Sequence, residues 1–74
     1  MALIEELADA LSAEAIKAID ATGDDDFHEK VAKVIGTSST TLEEAFLTAM
    51  RLRLADRRAR QFIEAELARA APRA

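Results

Sequence analysis

Residues 42–71 read LEEAFLTAMRLRLADRRARQFIEAELARAA, with neither glycine nor proline. Alanine, leucine, glutamate and arginine, the strongest helix formers, dominate the run. The pattern predicts one helix over about 41–70, roughly 43 Å long at 1.5 Å per residue. A compact chain of 74 residues has a radius of gyration near 11 Å, so a diameter of about 30 Å. Such a helix must outreach its own domain. Its apolar stripe also changes face. Leu42, Ala45, Phe46, Ala49 and Met50 form one surface, and Leu52, Ala55, Ala59, Phe62 and Ile63 form another, about a third of a turn round. Either the helix breaks near Arg53–Asp56, or its halves face different neighbours. A second copy of the chain is the simplest cover for the distal stripe.

Upstream, periodicity predicts two shorter helices. The first, about 2–21, aligns Ile4, Leu7, Leu11, Ala15 and Ala18, with Ile16 and Ile19 to one side. Ser12 is a plausible N-cap if that helix restarts. Thr22-Gly23 ends it, because glycine tolerates the left-handed C′ conformation. The second helix, about 24–35, opens on Asp24, Asp25 and Asp26, where carboxylates suit a helix N-terminus. Phe27, Val31, Val34 and Ile35 form its apolar face, and Gly36 closes it. Thr41 and Glu44 have capping-box spacing for the third helix. Residues 1–71 are expected to form one domain and 72–74 a disordered tail.

Charge is divided along the chain. Residues 1–44 carry 11 acids against Lys17, Lys30 and Lys33, and residues 45–74 carry three acids against seven arginines, within a net charge of −4. Packing the halves together would neutralise both. With no cysteine, tryptophan or tyrosine and a single histidine, disulfides, thiolate metal sites and most nucleophilic chemistry drop out. A core this small yields only about 3–5 kcal/mol without a staple, and oligomerisation is the staple left to it. The first apolar stretch is broken by Glu5, Glu6 and Asp9, and nothing reaches the length of a membrane span. The expected location is the cytoplasm, of a bacterium.

Four constellations could carry function. Arg51, Arg53, Arg57, Arg58 and Arg60 crowd RLRLADRRAR and could meet an anionic partner; the alternative is pairing within the chain, for which Asp24, Asp25 and Asp26 are available. His28 near those aspartates does not make a metal site, because consecutive side chains on a helix fan apart. The run VAKVIGTSSTTLEEA resembles the helix-turn-helix unit of DNA-binding regulators, with a small residue at Ala32 and Gly36 at the turn. That resemblance implies packing of the second helix on the third. Glu43 and Glu44, however, would stand where phosphates are met. Lastly, KVAKVIGTSSTTLEEAFLTA resembles the first strand and helix start of dodecins through Gly36, Thr37, Ser38, Thr40, Glu43, Glu44, Ala45 and Ala49. It implies a flavin-binding protein with Phe62 near the stacking position. Dodecins have tryptophan there, and lack a 20-residue helical segment ahead of the strand.

The reading is therefore an all-α domain of three helices. The expected function is a small non-enzymatic interaction module, homodimeric, without cofactor or metal, binding itself and a protein partner rather than nucleic acid. A helix-turn-helix DNA-binding regulator is the runner-up and a dodecin-like flavin carrier a distant third.

Overall fold

The computed structural model describes residues 2–71 and is built of three helices, α1 (Leu3–Thr22), α2 (Phe27–Gly36) and α3 (Thr40–Ala70). Each packs on the other two. The described residues include no strand; KVAKVI, which a dodecin would use as a strand, lies within α2. α1 and α3 run in the same direction, because Asp9 meets Arg53 and Asp20 meets Arg57 further along both helices.

The helix ends follow local chemistry. Gly23, at φ 74°, closes α1 and its N–H donates to the Ile19 carbonyl at 2.8 Å. Only glycine takes that left-handed conformation without strain. The three aspartates precede α2 rather than filling its first turn. Asp24 Oδ1 accepts from the Asp26 N–H at 3.0 Å, and Asp26 makes no side-chain cap bond. α3 opens earlier than its Thr41–Glu44 spacing suggests, because Ser39 is better placed: its Oγ accepts from the Leu42 N–H at 3.0 Å. Gly36 is the last residue of α2 and keeps a negative φ, so it is not the sharp turn that the helix-turn-helix resemblance implies. A Cβ there would lie 2.6 Å from Glu43 Oε1, the far end of a flexible side chain that can turn aside.

The core is built round Phe46 and Met50, both 0% exposed, with Ala15, Ile19 and Ala32 about them. Leu11, Ile16, Phe27, Val31, Ile35, Leu47 and Leu54 pack against this cluster. Two faces differ from the periodicity. In α1 the buried positions are Ala8, Ser12, Ala15 and Ile19, while Leu7 stays exposed. Ser12 does not restart the helix. It is buried within it. In α2 Ala32 is buried and Val34 is 71% exposed. Small residues win both places because they let helix backbones approach closely at a crossing, where a leucine or valine would hold them apart.

α3 is continuous, with no break at Arg53–Asp56. Its 31 residues make a rod of about 46 Å. The molecule accordingly measures 56 × 30 × 13 Å, with a Cα radius of gyration of 15.7 Å. Among the described residues every one beyond Arg57 is exposed. The stretch 58–70, about two fifths of the rod, is exposed throughout.

Candidate interaction surface

The free end of α3 owes its form to a change in what the helix carries on each face. Up to Arg57 its inward side bears Phe46 and Met50, then arginines that reach α1. Beyond it α1 has ended, and every described residue of α3 is exposed. At 100° per residue, Ala59 points about 180° away from Met50, and Phe62 about 160° away from Phe46. The distal stripe therefore lies half a turn from the core, more than the third of a turn that the sequence suggests. It occupies the outer side of α3.

All five residues of that stripe are exposed: Leu52, Ala55, Ala59, Phe62 and Ile63. Phe62 is 66% exposed and Ile63 54%. Leu67, four positions after Ile63, is 66% exposed and continues the face. Its i, i+4 spacing was the signal that could have placed it there. Three large apolar side chains thus stand exposed on two turns of unsupported helix, with Glu66 between Phe62 and Ile63 on the helical wheel.

The arginine cluster is divided. Arg53 donates from Nε to Ser12 Oγ at 2.7 Å and from Nη2 to Asp9 Oδ1 at 2.5 Å. Arg57 grips Asp20 with both terminal nitrogens, at 2.8 and 3.0 Å. Arg60 donates to Asp56 at 2.9 Å along its own helix. Their partners are thus Asp9, Asp20 and Asp56, while Asp24 is taken by Lys30 at 2.7 Å. The hydrogen bond from Arg57 holds the Asp20 carboxyl below its ordinary value of 3.8, and correspondingly raises Arg57. The hydrogen bond from Lys30, then that from the Asp26 N–H, does the same for Asp24. Arg51 and Arg58 are exposed and form no salt bridge among the described residues.

A cleft of about 570 Å³ brings Asp25, Asp26, His28 and Glu29 to the same side as Arg57 and Arg58. An open groove between the end of α1 and the departing α3 is lined by Ile16, Leu52, Arg53, Asp56, Arg57 and Arg60, and its three arginines are those already matched by carboxylates. His28 is half-buried with Nδ1 unpartnered. Among the described residues no three His, Asp or Glu side chains gather closely enough to hold a metal ion. No helix of the described residues is long and apolar enough to cross a membrane. Comparison with protein-family models, with curated proteins and with solved structures finds no match to this chain.

Proposed function

We propose that the protein is a non-enzymatic helical interaction module that works as a homodimer and presents a protein-binding surface. The observation that carries this reading is the free end of α3, where Phe62, Ile63 and Leu67 stand exposed on a stretch of helix that is exposed throughout. Burying such side chains contributes about 1.5–3 kcal/mol each. A second copy supplies the same stripe at the same concentration, and its cover would also add the stability that a core this small lacks. Arg51 and Arg58 supply positive charge for an acidic partner at the edge of that dimer.

Sedimentation equilibrium tests it directly. The wild type should associate in the micromolar range, and Phe62→Asp should sediment as a monomer with its bundle still folded, since Phe62 is largely exposed and lies outside the core cluster. A wild type that stays monomeric at about 100 µM, well above common cellular affinities, would remove the reading.

A further inference from the structure

The cleft where α3 leaves the bundle has walls of opposite charge that do not meet. Asp25, Asp26 and Glu29 line it from the start of α2, and Arg57, Arg58 and Gln61 line it from α3. Of its five charged side chains only Arg57 has a salt-bridge partner among the described residues, Asp20 of α1. Ile19 and Leu54 add an apolar part to the lining. Its volume of about 570 Å³ falls in the range of roughly 300–1,000 Å³ usual for small-molecule sites. His28 lines this cleft and a smaller one of about 330 Å³ beside it. Its Nδ1 is buried and has no hydrogen-bond partner among the described residues, so the ring keeps bonding capacity that the fold does not use.

The walls are held where they stand. Arg57 is drawn toward α1 by both Asp20 oxygens, at 2.8 and 3.0 Å. Asp24 fixes the turn that carries Asp25 and Asp26, since Oδ1 accepts from the Asp26 N–H at 3.0 Å and Oδ2 from Lys30 Nζ at 2.7 Å. A wall set before a ligand arrives lowers the ordering cost of binding. The charges left free are three carboxylates and one guanidinium. A simple anion would face the three carboxylates, and a simple cation would leave Arg58 unanswered. Both walls are satisfied by a molecule with one carboxylate and two cationic groups on an apolar stem. From this balance the geometry points to a binding site for a free basic amino acid, of the arginine or lysine type. Arg58 takes its carboxylate in a charge-assisted pair, and Asp25, Asp26 and Glu29 take its ammonium and side-chain cation. The stem lies over Ile19 and Leu54, and Gln61 and His28 offer hydrogen bonds beside it. No second copy of the chain is needed, so the site stands or falls apart from self-association.

Nuclear magnetic resonance titration of the full chain with L-arginine tests this. The amides of Asp26, His28, Arg58 and Gln61 should shift together and saturate with a Kd of about 1 mM or tighter. Arg58→Gln and Asp26→Asn should each weaken L-arginine binding roughly tenfold, with helix content by circular dichroism unchanged. Arg51→Gln, which alters only the smaller cleft, should bind as the wild type does. Agmatine, which is arginine without its carboxylate, should bind more weakly to the wild type and no more weakly to Arg58→Gln than to the wild type. No saturable shift at about 10 mM L-arginine, an order above that Kd, would overturn the inference. Agmatine binding as tightly as L-arginine, with no response to Arg58→Gln, would also overturn it, leaving a patch that merely attracts cations.

Discussion

Ser12 holds a place in the core that a hydrophobic residue would ordinarily take. Its side chain is wholly buried, donating to the Asp9 carbonyl at 2.8 Å and accepting from Arg53 Nε at 2.7 Å. The hydroxyl thus lets a guanidinium approach the core without losing a partner. Ser12→Ala should cost about 1 kcal/mol, lowering the melting temperature by roughly 4–8 °C for a chain of this size. Ser12→Leu should cost more, about 1–3 kcal/mol, since the added volume drives α1 from α3. Thermal melts followed by circular dichroism check both, and a stabilising Ser12→Leu would show that the crossing is loosely packed. Asp20 governs a different response. Its carboxyl is held below the ordinary value by Arg57, so its contribution is full above that value and is lost as pH falls through the lower one. Asp20→Asn should therefore be less stable than the wild type at neutral pH, with the gap closing below about pH 4. Melts between neutral and strongly acid pH would reveal a gap of constant size if the pair contributed nothing.

At the scale of elements, the boundary between buried and free helix falls near Arg57. Cutting the chain after Arg60 keeps Phe46, Met50 and both links to α1, so the bundle should melt within a few degrees of the full chain while self-association disappears. A truncated chain that failed to fold would mean that the distal third stabilises the bundle directly. The three helices were legible because each has a helical period and Gly23 is a strong stop. The buried faces of α1 and α2 were not, because hydrophobicity favours Leu7 and Val34 whereas close crossings select Ala8, Ser12 and Ala32 by size. Leu52, Ala55, Ala59, Phe62 and Ile63 could be grouped from period alone. The partners of the arginines could not: Asp9 and Asp20 lie 44 and 37 residues away in sequence, and only the crossing of α1 and α3 brings them together. The continuity of α3 was open as well, since a change of stripe fits a break or a change of neighbour equally well.

For the whole molecule, folding joins the two oppositely charged halves at two points, where Asp9 and Asp20 of α1 meet Arg53 and Arg57 of α3. What remains is a net charge of −4, with Glu43 and Glu44 near the start of α3. Attraction to phosphates supplies most of the affinity of DNA-binding proteins, and this surface has little to give. A mobility-shift assay at about 150 mM salt should accordingly show no sequence-dependent binding to duplex DNA. Submicromolar, sequence-dependent shifts would favour a DNA-binding regulator over the interaction module.

The uninterrupted length of α3 has a consequence for how its backbone breathes. Residues near Met50 are anchored by the core, whereas those after Arg57 keep their helical hydrogen bonds by local propensity alone. Isolated helices shorter than about 12–15 residues are marginal in water. Amide protons should therefore exchange with deuterium slowly through the first half of the rod and progressively faster toward Ala70, without any joint in between. Because pairing supplies the missing support, that gradient should flatten as the protein is concentrated. One covalently continuous helix would then be rigid along half its length at all concentrations, and along the other half only in company.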